Sequence, residues 1–139
     1  MKVRTKLKAR KGASAVEMAI VAPVFVALIL GQVETARLGM VSQLLTTAAR
    51  DGCRVAVIPG ATLSDVQSRV DAVLAGSGIS AGTVSPTCPS PYSWDSAPRG
   101  TPITVSLSVS YNSVSWLGTP FFLKNANVSA SATLSSENP

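Results

Sequence analysis

The chain has 139 residues, and 12 Lys and Arg against 7 Asp and Glu give it a net charge of +5, which leaves room for one small domain. Half of the basic residues lie in the first twelve positions, which contain no acid: Lys2, Arg4, Lys6, Lys8, Arg10 and Lys11. Residues 13–139 carry six bases against seven acids, so no basic face is left for a nucleic-acid partner. The chain has no His and two Cys, too few for a four-ligand zinc site. We therefore expect no metal and no cofactor.

An apolar stretch follows the basic block at once and occupies residues 13–33. It contains 21 residues with a single charge, Glu17, and as a helix it would be about 31 Å long, the thickness of a bilayer core. Because basic residues flank membrane segments on the cytoplasmic side, we expect the N-terminus to stay inside. The sequence thus predicts a single pass through the cytoplasmic (inner) membrane and an extracytoplasmic head formed by residues 34–139.

Three interpretations of this stretch compete. A removable secretory signal needs small residues at positions −3 and −1, but cleavage after Ala36 or Gly31 would place Glu34 or Ile29 at −3. A plain membrane anchor explains everything except Glu17, because a charge inside a membrane segment costs about 2.5–3.5 kcal/mol. The third interpretation gives this acid a function.

The sequence around Glu17 resembles the type IV prepilin processing motif. Residues 11–18, KGASAVEM, join a basic leader to a glycine and then to a glutamate five residues later. The resemblance implies that a membrane peptidase cuts between Gly12 and Ala13 and removes a leader of residues 1–12. The new α-amine of Ala13 would lie on the same helix face as Glu17, four residues on. The carboxylate could neutralise this amine or that of a neighbouring subunit.

The helical pattern continues beyond the membrane stretch. Apolar residues recur at three- and four-residue steps, and the first strong stop is Pro59-Gly60. We predict one helix over about residues 13–57, transmembrane to Val33 and amphipathic after it. Pro23 is expected to kink this helix because it removes one backbone hydrogen bond.

The remainder predicts a second helix and a small sheet. The shorter helix runs over about residues 62–75, with Thr62 or Ser64 as its N-cap. Strict alternation of apolar and polar residues predicts strands at 103–111 and 128–134, and a shorter strand is expected near 79–85. The predicted fold class is therefore α+β. In it, a long N-terminal helix packs on a small antiparallel sheet with one extra short helix.

Two blocks of the long helix resemble the TadE-like family of minor pseudopilins of tight-adherence (Tad) pili. The matching residues are Gly12, Val16, Glu17, Ala19, Pro23, Gly31 and Glu34 in the first block, and Ala48, Ala49, Arg50, Gly52, Arg54 and Ala56 in the second. The resemblance covers roughly the first 57 residues. It departs from the family at Met18, where Phe is common.

This resemblance implies a structural subunit that is a substrate of a prepilin peptidase and is not itself an enzyme. Its implied partners are that peptidase, other pilin or pseudopilin subunits, a membrane assembly platform and membrane lipid. The implied role is assembly of a Tad-type pilus or secretion fibre, and through it adherence. An extracellular pilus is then a second location of the protein. The alternative function is an extracytoplasmic binding module whose membrane anchor is never cut.

A third class, a secreted enzyme starting near residue 35, has the least support. The chain lacks His, and it contains neither a Gly-x-Ser-x-Gly nor a Ser-x-x-Lys arrangement. Nucleophilic catalysis therefore has no basis in the sequence.

The two cysteines, Cys53 and Cys88, are predicted to form a disulfide, because the head is expected outside the cytoplasm. This bond would close a loop of 35 residues and stabilise the fold by about 3–4 kcal/mol. The alternative is two separate buried thiols.

Two charged clusters of the long helix and one apolar segment also invite functional interpretations. Arg50, Asp51 and Arg54 form either a docking contact or, as we favour, a local Asp51–Arg54 ion pair. Glu34 and Arg37 pair likewise, within the chain or between subunits at the membrane edge. The apolar residues 116–123 are expected to form a core-facing arm rather than an exposed patch.

Overall fold

The structure is a computed structural model that describes residues 6–116 and 126–138, with side chains from Gly12 onward. Two helices and three strands occupy most of these residues. They are α1 (Lys6–Ala56), α2 (Leu63–Leu74), β1 (Thr83–Thr87), β2 (Pro102–Ser110) and β3 (Asn127–Ser135), with a short 3-10 turn at Tyr111–Ser113. The α+β class predicted from the sequence is confirmed.

Helix α1 has 51 residues and is therefore about 77 Å long. The helix includes Pro23. The kink expected at this residue stays a prediction. The helix begins at Lys6, earlier than the predicted start at Ala13, because the leader is rich in good helix formers such as Lys, Arg and Ala. It ends at Ala56, shortly before Gly60 takes a φ of 79° that ordinary helical residues avoid.

Helix α2 begins with the capping box that its sequence encodes. Thr62 Oγ1 accepts a hydrogen bond from the Asp65 backbone N–H at 3.3 Å, and the Asp65 carboxylate accepts one from the Thr62 N–H at 2.9 Å. These bonds satisfy two N–H groups that the helix leaves unpaired. Hydrogen bonds from the Thr62 side chain and backbone also lower the pKa of Asp65.

The three strands form one antiparallel sheet in the order β1-β2-β3. The register places Val84 opposite Leu107 and Leu107 opposite Ala130. Strand β2 alternates as predicted, with its apolar side chains buried against the helices and its Thr and Ser side chains outward. Strand β1 begins later than the predicted Ile79, and Tyr111 lies in the 3-10 turn instead of in β2.

The core lies where α1, α2 and the inner face of the sheet meet. Aliphatic side chains dominate it, and its most deeply buried members are Val41, Leu45, Val66, Val70, Ile103, Val105, Leu107 and Tyr111. The aromatic residues of the head contribute unequally to this core, and Trp94 packs against it in a half-buried position. Tyr111 is fully buried, but Tyr92 and Trp116 are exposed, and Phe121 and Phe122 lie outside the described residues.

Candidate functional site

The first part of α1 projects from the head and has no contact with the core. An 18-residue window of this helix has a mean hydropathy of 2.3, and none of it is buried. Large apolar side chains cover the projecting surface: Val16, Met18, Ile20, Val21, Val24, Phe25, Val26, Leu28, Ile29, Leu30 and Val33. The helix is long and apolar enough to cross a membrane, a property that signal sequences share. Such a surface is stable only when lipid or other apolar helices cover it.

Glu17 lies on this projecting segment, and its side chain is exposed. The backbone of Gly12 is helical, and a Cβ atom built there would meet nothing within 4 Å. The head therefore does not obstruct either residue. Cleavage between Gly12 and Ala13, and pairing of Glu17 with an α-amine, stay predictions.

Two charged residues become buried where α1 enters the head. Glu34 is 4% exposed and Arg37 is 7% exposed. The Tyr111 hydroxyl donates to the Glu34 carbonyl oxygen at 2.9 Å, and Arg37 Nε donates to the Val114 carbonyl oxygen at 2.8 Å. We call this cluster, completed by Trp116, the neck. It fixes the rotation and height of α1 relative to the sheet.

The neck is also an electrostatic cluster. Burial raises the pKa of Tyr111, and the negative charge of Glu34 raises it further, while Arg37 lowers it. Tyr111 therefore stays protonated and can donate its hydrogen bond at any physiological pH. The Arg37 guanidinium lies 4.8 Å from the centre of the Trp116 ring, within range of a cation–π contact.

A Glu34–Arg37 ion pair within the chain is not among those that the described residues form, and pairing between subunits stays a prediction. Instead, Arg37 uses its side chain to hold the segment that follows the 3-10 turn. Sequence reasoning placed both residues at the membrane edge but missed their burial and their partners. The available signal was a pair of opposite charges, spaced i,i+3, between the apolar and the amphipathic part of one helix.

A second charged cluster joins the two helices. Asp51 pairs with Arg54 at 3.5 Å, which confirms the predicted local ion pair. The Asp51 carboxylate also accepts a hydrogen bond from Arg69 of α2 at 2.7 Å. The sequence analysis missed this contact. Because both arginines are more than half exposed, each pair contributes at most about 1 kcal/mol to stability.

The predicted Cys53–Cys88 disulfide is absent, and both cysteines are free thiols. Cys53 donates to the Ile103 carbonyl oxygen at 3.3 Å, and Cys88 donates to the Tyr92 carbonyl oxygen at 3.0 Å. Burial raises the pKa of the Cys53 thiol, although backbone hydrogen bonds oppose this effect. Cys53 is thus held as a protonated core side chain, which disfavours the thiolate that disulfide formation requires.

The predicted apolar arm is described only at its start. Trp116 is exposed and lies over Arg37, and the rest of the arm, residues 117–123, lies outside the described residues. Across 6–116 and 126–138, no three His, Cys, Asp or Glu residues are grouped so that they could hold a metal ion.

Comparison with known protein families gives a match to most of α1. The profile of a family described as TadE-like protein matches residues 12–54. No curated protein and no solved structure matches the chain significantly. The matched range begins at the predicted cleavage glycine, includes Glu17 and both charged residues of the neck, and ends two residues before α1 does.

Proposed function

We propose that this chain, whose residues 12–54 match the TadE-like protein family, is a minor pseudopilin. It is processed by a prepilin peptidase and helps to assemble a Tad-type pilus or secretion fibre. The family itself implies a protein related to the Tad pilus. One observation carries the finer proposal. The matched range begins at Gly12 and contains an exposed apolar helical segment that carries an acid, Glu17, and projects from the head.

Processing is proposed to hydrolyse the Gly12–Ala13 peptide bond. Water adds across the bond, leaving a carboxylate on Gly12 and an α-amine on Ala13. A peptidase cleft binds extended backbone, whereas Gly12 is helical in the structure, so the first turns must unwind. Glycine lowers the cost of this step, because it destabilises a helix by about 1 kcal/mol relative to Ala.

Assembly is proposed to transfer the projecting helix from lipid to neighbouring helices. Both environments cover the same apolar side chains, so the transfer exposes none of them to water. Glu17 is costly in lipid, and an α-amine from this subunit or the next offsets that cost with an opposite charge. The head can stay folded throughout, because its core begins at Val41.

The location and partners follow from these two steps. The basic leader would hold the N-terminus in the cytoplasm, leaving the head outside the cytoplasmic membrane. The proposed partners are the peptidase, other pilin or pseudopilin subunits, the assembly platform and lipid. In this role the chain is a substrate and a structural subunit, in line with a family that is generally non-enzymatic.

The N-terminus of the membrane-bound chain tests the proposal. In cells with an active prepilin peptidase, intact mass and N-terminal sequencing should show a chain that starts at Ala13. Gly12→Val should retain the leader, because a β-branched side chain blocks the cleft. Gly39→Val is the matched control, since Gly39 is also a helical glycine with open space around its Cβ position, and it should be cleaved normally.

Two other outcomes would contradict the proposal. A wild-type chain that keeps residues 1–12 beside an active peptidase would support the alternative, an uncleaved membrane-anchored binding module. A soluble product that starts near residue 35 would indicate a secreted protein.

A further inference from the structure

The hydrogen-bond pattern of the sheet shows which backbone groups of β3 point away from it. Tyr111 N donates to the Ala126 carbonyl oxygen at 2.8 Å, and Ser136 N donates to the Thr101 carbonyl oxygen at 2.8 Å. Because the bonded pairs of an antiparallel ladder alternate, the even-numbered residues of β3 bond to β2. The odd-numbered residues therefore direct their N–H and C=O groups to the outer edge.

This outer edge of β3 is open in the part of the chain that the structure describes. The backbone groups of Ser129, Ser131 and Thr133 have no partner among those residues. Strand β3 is nine residues long and contains no Pro and no charged side chain. Long, uncharged edges without Pro are the ones that accept another strand.

The opposite edge of the sheet is protected. The even-numbered residues of β2 bond to β1, and the register places them opposite Thr83, Ser85 and Thr87. Val84 and Pro86 therefore direct their backbone groups outward. Pro86 lacks an N–H and cannot donate a hydrogen bond to a further strand. Only five residues long, β1 is a poor template for a further strand. The two edges thus differ, and only β3 is suited to pairing.

Two arginines of α1 lie beside the open edge. A groove of about 380 Å³ runs between α1 and β3, lined by Thr46, Arg50 and Arg54 on one side and by residues 131–134 on the other. Arg50 has no ion pair among the described residues. Arg54 has only the 3.5 Å pair with Asp51, and its side chain is 75% exposed. Both cations are therefore available to a ligand.

The spacing of these arginines matches that of an added strand. Residues four apart on a helix are separated by about 6 Å along its axis. Alternate residues of a strand are separated by about 6.6–6.8 Å. Since Arg50 and Arg54 line one groove with residues 131–134, acidic side chains at alternate positions of a strand paired with β3 could reach both arginines.

We propose that β3 accepts an additional strand from another protein, and that this strand carries Asp or Glu at alternate positions facing Arg50 and Arg54. Hydrogen bonds to Ser129, Ser131 and Thr133 give the strand its affinity, and the two arginines select its charge. A second copy of this chain does not fit, because its β3 has no acid and would bring two more arginines to the groove. This docking does not depend on cleavage of the leader.

A model strand can test this proposal on the full chain in phosphatidylcholine nanodiscs. The probe is an acetylated and amidated (Glu-Thr)5 peptide, and the control peptide is (Lys-Thr)5. Hydrogen–deuterium exchange, read at single amides by NMR, should slow about ten-fold or more at Ser129, Ser131 and Thr133 with the first peptide. Exchange at the even-numbered amides should not change, because these amides already bond to β2.

Charge-reversal variants separate the two parts of the proposal. Arg50→Glu leaves the Asp51 ion pairs in place and should weaken (Glu-Thr)5 binding about five-fold or more. The double variant Arg50→Glu, Arg54→Glu should bind (Lys-Thr)5 in preference. Circular dichroism checks that each variant is folded, as expected for exposed positions.

Four outcomes would overturn the proposal. The first is equal binding of both peptides, and the second is slower exchange at the odd-numbered amides when the protein concentration alone is raised, which indicates a second copy. The third is the same slowing in nanodiscs of anionic lipid without peptide. The fourth is slowing spread over the whole of β3, which indicates general stabilisation instead of strand addition.

Discussion

Burial gives the two cysteine thiols different reactivities. Cys53 lies in the core and its pKa is raised, so at a given pH less of it is the reactive thiolate. Cys88 is half-buried, in the loop after β1. The two side chains should therefore be told apart by their rates of modification.

We predict that iodoacetamide at pH 8 alkylates Cys88 about ten-fold faster than Cys53 in the folded protein. Timed quenching followed by peptide mass spectrometry measures both rates. Raising the pH should increase the alkylation rate of Cys53 in particular, because its raised pKa means that the thiol ionises only at higher pH. In denaturant without reductant, both thiols should be alkylated equally. A chain that resists alkylation there and is lighter by two hydrogens would show the disulfide instead.

The neck shows what a sequence can and cannot predict at the scale of residues. The charge pair Glu34 and Arg37, at the end of the apolar stretch, could be singled out from spacing alone. Their partners could not, because Tyr111 and Val114 lie 77 residues away from them along the chain. The alternation of β2 even assigned Tyr111 to a strand, since its apolar ring continues the pattern. Contacts at that separation are set by how the elements pack.

The elements themselves were largely predictable, because helix and strand periods are local. The N-cap of α2, for which Thr62 was one of two candidates, and the Pro59-Gly60 stop both act within a few residues, and both were visible in the sequence. The errors occur at element boundaries, as at Lys6 and Thr83, because a local helical or alternating pattern fixes the first residue of an element only to within a few positions. The close approach of α1 and α2 at Gly52 was not predictable, since it depends on a second helix.

Gly52 provides a test of this helix packing. A Cβ atom at Gly52 would lie 2.8 Å from Val70 Cγ2 and 3.5 Å from Val66 Cγ1, so Gly52→Ala should lower the free energy of unfolding by about 1–3 kcal/mol. The matched control is Gly39→Ala, which has open space and should raise helix stability by about 0.5–1 kcal/mol. Urea unfolding followed by circular dichroism measures both. Equal effects of the two substitutions would show that the helices do not approach closely at Gly52.

At the scale of the whole molecule, the chain divides into a projecting helix and a folded head. The sequence predicted this division at Val33, where continuous apolar residues give way to an amphipathic pattern. In the structure the buried residues begin with the neck at Glu34, and the hydrophobic core begins at Val41. A continuous apolar surface suits lipid, whereas an amphipathic pattern suits a helix that packs on a head and faces water on its other side. The domain bounds themselves stay a prediction.

The division predicts that the head folds without the projecting segment. Deletion of residues 1–33 removes no buried side chain of the core or the neck, so residues 34–139 should unfold cooperatively in urea and need no detergent.

Deletion of residues 1–45 is the matched comparison, because it also removes Arg37, Val41 and Leu45. The loss of the two apolar core residues alone costs several kcal/mol, a large share of the roughly 5–15 kcal/mol that stabilises a typical domain. The shorter fragment should therefore lack a cooperative transition. If the longer fragment also lacks one, the head depends on the projecting helix, and extraction of that helix from lipid would then unfold the subunit.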